Sequence, residues 1–243
     1  MVKREFIEVA VVDKCYTIWL SRPAKSNAYH AAMASELTDA LDAIRADRAA
    51  EAVFLRARGK NFCTGADLTW MAAAATLSSN ENVEDMRCIL RMYRALLECE
   101  LPIVTYAQGK IRGGGIGLVA VSDVCVCAPE ADFALSETQL GLIPGIITPL
   151  VRHRIGAVPF EDLAASSRTF GSLEAKALGL VSKVCSMPEF EEATRARQHD
   201  AQIRRPRGHE LADVLLEMED FLLASAARRQ GPAFQAQVRR FLK

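Results

Sequence analysis

The sequence lacks an excess of charge of either sign. Its 243 residues include 30 lysines and arginines and 30 aspartates and glutamates, so the formal net charge at pH 7 is zero. A neutral chain has no general attraction to nucleic acid or to an anionic membrane surface. The arginine-rich segment 204–207 and the pair Arg228-Arg229 are possible local patches, although such runs are more often solvated surface. Neither nucleic acid nor membrane is therefore an expected partner.

The sequence also lacks a long apolar run. No stretch reaches the ~20 residues that a membrane helix needs, and no apolar leader with a cleavage-like site follows the first five residues. We expect a soluble, cytoplasmic protein. Half of the residues are apolar, which is enough to bury one large core. We expect a core domain over residues 1–186 and a helical region over residues 187–243.

Signatures of metal and redox sites are missing as well. The seven cysteines never show the Cys-x-x-Cys spacing, and the four histidines occur singly. We therefore predict reduced thiols in the core and no metal ion. Cys125 and Cys127 lie two apart on a predicted strand, so they face the same side and packing explains them. Ser136 has no identifiable partners for a Ser-His-Asp site.

Phosphate-binding signatures are absent although glycine is concentrated in one place. Gly113, Gly114 and Gly115 follow an apolar segment, but the Gly-x-Gly-x-x-Gly spacing of dinucleotide sites is not found. The pair Gly109-Lys110 is followed by isoleucine, whereas a phosphate loop has serine or threonine there. The chain is therefore not expected to be a phosphate-loop enzyme.

Strand-like and helix-like segments alternate along the chain, which predicts an α/β fold with helices packed on sheets. The helix predicted at 210–228 carries an apolar stripe that needs a partner surface, either on the core or on another subunit. Strands are predicted at 8–12 and 15–20, which form a hairpin, and at 52–56, 102–106, 123–127 and 133–135. Helices are predicted at 28–46, 83–99 with a polar start at 78–82, 189–203, 210–228 and 234–242, with others between Pro144 and Cys185.

Two glycine-containing segments carry chemical content. Glycines between a strand and a helix let the backbone approach a ligand and leave N–H groups free at the helix start. The segment Gly65-Ala66-Asp67 also follows a predicted strand and offers a second N–H group. Two converging backbone donors form an oxyanion hole, and a nearby carboxylate would move the proton. These segments, together with Ser136-Glu137, predict a site that stabilises a thioester enolate.

Five ordered segments resemble the enoyl-CoA hydratase/isomerase (crotonase) superfamily, from the first hairpin to Cys185. This resemblance implies a crotonase-like spiral of ββα repeats with a C-terminal helical region, usually assembled as a homotrimer or a dimer of trimers. The segments are Arg22-Pro23-Ala24-Lys25-Ser26-Asn27-Ala28, Gly65-Ala66-Asp67-Leu68, Gly113-Gly114-Gly115 with Asp123, Ser136-Glu137 with Leu140-Gly141-Leu142-Ile143-Pro144, and 175–181.

The resemblance implies a role for each segment. The N–H groups of Ala66 and Gly114 would hold the thioester oxygen, and Glu137 would be the catalytic carboxyl group. No cofactor is expected except CoA or phosphopantetheine as part of the substrate, which would be a thioester of CoA or of an acyl carrier protein. The other expected substrate-binding residues are Ala24, Lys25, Asp67, Leu68, Trp70 and Arg112, with Ala24 and Lys25 near the adenine end of CoA.

The chain departs from the two-glutamate hydratases at Gly117, the position of their first glutamate. Glu137 alone would have to deliver both parts of water, which puts efficient hydration of simple crotonyl substrates in doubt. We interpret Gly117 as a helix-packing residue that leaves room for a bulkier acyl group. Taken alone, Glu137 would be interpreted as an ordinary surface or salt-bridged glutamate. Its place within the segment that resembles the family favours a catalytic role.

Finer resemblances suggest the acyl group. Segments 65–71 and 115–123 are similar to methylglutaconyl-CoA hydratases and to dehydratases of polyketide β-branching. They imply a lyase that interconverts 3-hydroxy-3-methylglutaryl and 3-methylglutaconyl thioesters. Arg112 is the candidate cation for the distal carboxylate of such a substrate, unless it points away or pairs with an acidic residue. We expect Trp70 and Met71 to form a wall of the acyl or pantetheine channel.

Three other functions stay open at this point. A Δ3-Δ2 enoyl-CoA isomerase needs one base, which Glu137 would supply. A decarboxylase on the same scaffold needs only the oxyanion hole and a proton donor, so the presence of Glu137 argues mildly against it. A non-catalytic scaffold that binds acyl-CoA or RNA is the third alternative, and neutral net charge does not favour RNA.

Overall fold

The computed structural model describes residues 2–195 and 208–242. The carboxyl-terminal part of the predicted helix 189–203, the segment 204–207 and His199 lie outside these residues. Ten strands are described: β1 Val2–Lys3, β2 Ile7–Val12, β3 Cys15–Leu20, β4 Ala52–Ala57, β5 Ile103–Ala107, β6 Lys110–Arg112, β7 Val124–Cys127, β8 Asp132–Ala134, β9 Phe170–Gly171 and β10 Lys183–Val184. Ten α-helices accompany them: α1 Ala31–Ala46, α2 Leu68–Ala73, α3 Ser79–Glu98, α4 Gly114–Ala120, α5 Thr148–Ile155, α6 Ala157–Ser166, α7 Ser172–Ala177, α8 Met187–Arg195, α9 Gly208–Gln230 and α10 Pro232–Phe241.

The predicted hairpin is confirmed. Strands β2 and β3 pair antiparallel from Ile7–Leu20 to Val12–Cys15. Asp13 and Lys14 form the connecting turn with φ angles of 47° and 65°. Both central residues of a tight two-residue hairpin turn need positive φ when the turn follows the right-handed twist of the strands.

Two sheets organise the α/β fold. The larger has the strand order β1-β2-β3-β4-β5-β7-β10, antiparallel as far as β3 and parallel from β3 onwards. The smaller has the order β6-β8-β9, in which β6 and β8 are parallel. The carboxyl ends of parallel neighbours lie side by side. The residues that follow β6 and β8 are therefore brought together, and these are the triple glycine and Ser136-Glu137.

The apolar stripe of α9 packs on the core of its own chain. Val214, Met218 and Leu222 are buried in the main hydrophobic cluster, and α9 contacts α3. Asn82 on α3 donates to the carbonyl oxygen of Ala226 at 2.7 Å. The sequence left open whether this stripe packs on the core or on another subunit, and in the structure it packs on the core.

Some expectations need correction. Helix α1 begins at Ala31 because the preceding residues pair with the segment around Ala66, and His30 caps the helix with its side chain. The pair Arg228-Arg229 cannot form an exposed patch because Arg229 is completely buried.

All seven cysteines are free, as predicted, although Cys15 and Cys88 are only partly buried. No helix within the described ranges is long and apolar enough to cross a membrane.

Candidate active site

Strands β6 and β8 place the triple glycine against the carboxylate of Glu137. Arg112 is opposite Ala134 in the register, and the N–H of Gly113 donates to the Ala134 carbonyl at 3.0 Å. Gly113 has φ of 47°, which favours glycine. A Cβ atom at Gly113 would lie 2.6 Å from Oε1 of Glu137. Only glycine therefore lets the carboxylate approach the backbone this closely.

The segment around Ala66 is held so that the Ala66 N–H points away from Tyr29, the residue with which Ala66 is paired. The Tyr29 N–H donates to the Gly65 carbonyl at 2.9 Å, and the Asp67 N–H donates to the Tyr29 carbonyl at 2.8 Å. These two bonds form a parallel bridge between Tyr29 and Ala66. In such a bridge the central residue directs its N–H to the opposite side. The Ala66 N–H thus has no hydrogen-bond acceptor among the residues described.

The Gly114 N–H is the second unpaired donor. It is the first N–H of α4, where no intrahelical acceptor exists. A Cβ atom at Gly65 would lie 3.2 Å from this nitrogen, so the two glycine-containing segments touch. The carbonyl of Gly113 accepts a bond from the Ile116 N–H at 2.8 Å, which polarises the peptide group that carries the Gly114 N–H. Two unpaired donors from neighbouring segments therefore border the same space, as an oxyanion hole requires.

Glu137 presents a carboxyl group with a perturbed acidity. The residue as a whole is partly buried, but its Oε2 atom is shielded from solvent and has no hydrogen-bond partner among the described residues. Burial raises the pKa of this carboxyl group from its ordinary 4.5 to about 7. Near pH 7 it can therefore both accept and release a proton, which suits a general acid–base group.

This pKa predicts the pH dependence of turnover. Below pH ~7 the carboxyl group becomes protonated, and a reaction that begins with proton abstraction by the carboxylate slows about tenfold per pH unit. We expect kcat/KM to rise through an apparent pKa near 7 and then to level off. A pH–rate profile between pH 5 and 9 measures this value. A profile that is flat above pH 5 would mean that Glu137 keeps an ordinary acidity or is not the base.

One cavity of about 530 Å³ contains both donors and the carboxyl group. Its deeper wall is apolar, and its rim includes the exposed Lys25 and Lys110. Exposed Phe241 and its neighbour Leu242, at the end of α10, also border it. The buried apolar wall comprises Met71, Met86, Ile89, Pro144, Ile146 and Ile147, with the partly buried Trp70, Leu140, Leu142 and Ile143 beside them.

The predicted substrate-binding residues divide into two groups. Lys25, Leu68 and Trp70 line the cavity, whereas Ala24 is exposed and does not. Asp67 borders the cavity, but its carboxylate caps α2 through the Thr69 and Trp70 N–H groups and pairs with Arg22. Burial raises the pKa of Asp67, but the bonds from Arg22 and these N–H groups outweigh it and lower the pKa below its ordinary value. The Asp67 carboxylate therefore serves contacts within the protein and not the binding of a ligand.

Arg112 needs a similar correction. Its guanidinium pairs with the carboxylate of Asp132 and also donates to the carbonyl groups of Asp132 and Ile111. The residue borders the cavity, but these three bonds direct its charge to strand β8. The distal carboxylate of a substrate therefore finds no free cation at Arg112.

Three important side chains were not predicted as parts of the site. Tyr29 lines the cavity, and Tyr93 lies behind it, completely buried. Arg229 is also completely buried, pairs with Asp85 at 2.5 Å and lies over the Trp70 ring. No local signal in the sequence indicates any of them, since Tyr93 occupies the apolar face of α3 and Arg229 lies near the end of a charged helix.

Gly117 packs the helix, as predicted, but it leaves no additional room for an acyl group. A Cβ atom there would lie 2.5 Å from Cγ2 of Ile147 and 2.6 Å from the Tyr93 hydroxyl. The space beside Gly117, where the two-glutamate hydratases carry the first acid that this chain lacks, is therefore filled by side chains from other elements.

Replacing Gly117 with alanine is expected to destabilise the protein. Overpacking costs ~1–3 kcal/mol, and the better helix propensity of alanine returns up to ~1 kcal/mol. Chemical unfolding of the variant measures the difference. Gly171→Ala is the control because a Cβ atom there meets nothing within 4 Å. Equal stability of the two variants would show that Ile147 and Tyr93 yield easily.

Within the described ranges, no group of three or more histidine, cysteine, aspartate or glutamate side chains could hold a metal ion. The cavity is thus bordered by one carboxyl group of raised pKa and two unpaired backbone donors. This arrangement can stabilise an enolate oxygen and move a proton at an adjacent carbon.

The chain is similar to known proteins of one family. The model of the family Enoyl-CoA hydratase/isomerase matches residues 13–209. A Thermus thermophilus protein that carries the name enoyl-CoA hydratase is 30% identical over 216 residues, which are 89% of this chain and 83% of that protein. The peroxisomal Delta(3,5)-Delta(2,4)-dienoyl-CoA isomerase of Arabidopsis thaliana is 28% identical over 74% of this chain and 68% of its own length.

A solved structure shows the same fold over nearly the whole chain. The enoyl-CoA hydratase/isomerase from Mycobacterium paratuberculosis superposes with a TM-score of 0.84 and covers 98% of each chain. Its sequence identity is 22%, so the likeness concerns the fold. It confirms the predicted spiral α/β architecture, including the C-terminal helical region.

Proposed function

The chain belongs to the enoyl-CoA hydratase/isomerase family. We propose that it is a lyase that hydrates an enoyl thioester of CoA or dehydrates the corresponding hydroxyacyl thioester. The observation that carries the proposal is the position of the Glu137 carboxyl group beside the two unpaired N–H donors of Ala66 and Gly114. All three border one largely apolar cavity.

The proposed reaction uses the carboxylate of Glu137 twice. It takes a proton from water while the water oxygen bonds to the β carbon of the substrate. The electron pair of the double bond then moves to the thioester oxygen, where the Ala66 and Gly114 N–H groups stabilise the enolate. The protonated Glu137 returns its proton to the α carbon, which completes the addition of water. Dehydration follows the same steps in reverse order.

A second candidate is isomerisation of a 3-enoyl thioester. The filled space beside Gly117 favours it, since no second acid can be placed there to hold water. Glu137 would remove a proton from the α carbon and return it to the γ carbon through the same enolate. The name of the Arabidopsis relative is that of an isomerase, which is compatible with this candidate.

The methylglutaconyl substrate is the finer part of the proposal, and the contacts of Arg112 weaken its support. We now expect Arg112→Leu to change KM for 3-methylglutaconyl-CoA and for crotonyl-CoA by the same factor, within about twofold, because the lost ion pair is internal. Steady-state kinetics with both substrates measure this. Asp132→Asn, which breaks the same pair, should reproduce the effect. A selective loss of affinity for the dicarboxylic substrate in Arg112→Leu alone would restore Arg112 as its cation.

The group that carries the acyl thioester, CoA or an acyl carrier protein, and the oligomeric state of the protein are proposals as well. Lys25 and Lys110 at the cavity rim would suit the phosphates of CoA or of phosphopantetheine. Both carriers present the same thioester and the same pantetheine arm to the cavity. A homotrimer or a dimer of trimers remains a prediction from the resemblance.

The test uses the purified protein with 3-methylglutaconyl-CoA, crotonyl-CoA and a 3-enoyl-CoA. Loss of the ultraviolet signal of the conjugated thioester, together with a mass gain of one water, is the expected result for 3-methylglutaconyl-CoA, and crotonyl-CoA should be hydrated less efficiently. Conversion of the 3-enoyl substrate alone would favour the isomerase. No turnover of any substrate, repeated with the acyl carrier protein thioesters, would leave a non-catalytic thioester binder and overturn the lyase proposal.

A further inference from the structure

Two buried tyrosines contact the segments that supply the proposed oxyanion donors. Tyr29 is 5% exposed and Tyr93 is completely buried. Their hydroxyl oxygens are 3.5 Å apart. Polar groups in such surroundings are costly unless they are hydrogen-bonded, so their partners are informative.

Tyr29 is fixed to the first donor segment through its backbone. Its N–H donates to the Gly65 carbonyl at 2.9 Å, and its own carbonyl accepts from the Asp67 N–H at 2.8 Å. The side chain extends from there to the second donor segment. A Cβ atom on Gly114 would lie only 1.8 Å from the Tyr29 hydroxyl oxygen. Tyr29 thus contacts both segments.

Tyr93 holds the second donor segment through its hydroxyl group. Its hydroxyl donates to the Gly114 carbonyl at 2.6 Å. Because this hydrogen is used, the Tyr93 oxygen is left to accept a bond from Tyr29. The ring of Tyr93 is held on α3, and its hydroxyl fills the space beside Gly117. The backbone at Gly114 is therefore held, at its carbonyl group, by a residue outside its own strand and helix.

We propose that Tyr29 and Tyr93 form a hydroxyl brace that sets the distance between the Ala66 and Gly114 N–H groups. This inference rests on the proposed function, since it concerns the oxyanion hole of that site. Tyr93 does not line the cavity, so it is a positioning residue, and Tyr29 acts mainly through its hold on both segments. A misplacement of donors by ~1 Å costs a reaction as much as 10²-fold in rate. The brace thus explains why two hydroxyl groups are kept in an apolar interior.

Phenylalanine variants test the brace because they remove one oxygen and keep the ring. We expect Tyr93→Phe and Tyr29→Phe to lower kcat by ~10- to 100-fold with KM changed less than about threefold. The double variant should be little worse than Tyr93→Phe, since the two hydroxyl groups act as a unit. Tyr106→Phe is the matched control, because Tyr106 is a buried tyrosine bonded at 3.3 Å to the Cys185 carbonyl and outside the cavity lining. A kcat in the two single variants equal to that of the control would overturn the brace.

A second readout does not depend on turnover. Infrared difference spectra of bound butyryl-CoA, isotope-labelled at the carbonyl carbon, report how strongly the N–H groups polarise the thioester. We expect a lower carbonyl frequency in the wild type and in Tyr106→Phe, and loss of much of this shift in Tyr93→Phe. An undiminished shift in Tyr93→Phe would overturn the brace and leave the proposed function intact. Absence of the shift in the wild type would overturn both.

Discussion

Replacement of Glu137 with glutamine is expected to lower kcat by ~10²–10⁴-fold, which is the range that general acid–base catalysis contributes. Glutamine has nearly the same shape but cannot accept or deliver a proton at neutral pH. Its effect should fall on kcat rather than on KM, because the cavity and its two N–H donors are unchanged. The measurement is steady-state hydration of whichever enoyl thioester the wild type converts. Glu130→Gln, at an exposed glutamate outside the cavity lining, is the matched control and should retain wild-type activity.

The same variant should be more stable than the wild type at high pH. The pKa of Glu137 is about 7 in the folded protein and near the ordinary 4.5 in the unfolded chain. The folded state therefore favours the protonated form, and this contribution to stability is lost as the pH rises from about 4.5 through about 7. A neutral glutamine escapes this loss, which amounts to ~3 kcal/mol at most. Denaturant unfolding at pH 8 and at pH 4.5 should show the gain only at pH 8. A less stable variant at pH 8 would mean that the carboxylate is well solvated or paired.

Gly114→Ala is expected to lower kcat by ~10²–10³-fold, the usual effect of losing one oxyanion donor. The added Cβ atom would lie 1.8 Å from the Tyr29 hydroxyl oxygen and 2.6 Å from its ring carbon Cζ. Tyr29 is enclosed in the core and hydrogen-bonded through its backbone. The start of α4 must therefore move, and the Gly114 N–H moves with it. The variant should also lose ~1–3 kcal/mol of stability through overpacking.

Two comparisons keep the Gly114→Ala result interpretable. Gly171→Ala makes the same chemical change where a Cβ atom meets nothing within 4 Å, and it should leave kcat and stability unchanged. Measurement below the unfolding transition separates lost catalysis from lost folded protein. Near-normal kcat in a folded Gly114→Ala protein would show that this N–H does not contact the reacting oxygen.

Local signals explain what could be predicted from the sequence. The hairpin around Asp13-Lys14 follows from two alternating apolar segments and a short polar turn between them. The start of α3 follows from Ser78 and Glu81, which form a capping box in the structure. The Ser136-Glu137 segment follows a predicted strand that the structure shows as β8. The strand predicted before the triple glycine, 102–106, is β5 of the larger sheet, whereas the short strand β6, which directly precedes the glycines and pairs with β8, was not predicted.

Contacts between distant residues account for what could not be predicted. Asp132 pairs with Arg112 because β6 and β8 are neighbours in the smaller sheet, and no spacing in the sequence indicates that pair. The residues around Arg229 are typical of a solvated helix end. In the structure, however, Arg229 is completely buried and pairs with Asp85 on α3. The hydroxyl of Tyr93 is invisible in the helical pattern, because a tyrosine on an apolar face reads as core.

If Glu137 moves a proton next to an oxygen held by Ala66 and Gly114, the protein should exchange hydrogen at the α carbon of an acyl-CoA. The purified protein is incubated with the 3-hydroxyacyl or saturated acyl thioester in heavy water, and deuterium in the recovered thioester is measured by mass spectrometry. Exchange requires the enolate, so it reports the step that hydration and isomerisation share. We predict deuterium at the α carbon with the wild type and with Glu130→Gln, and none with Glu137→Gln. Equal exchange with Glu137→Gln, or none with a wild type that binds the thioester, would contradict this role of Glu137.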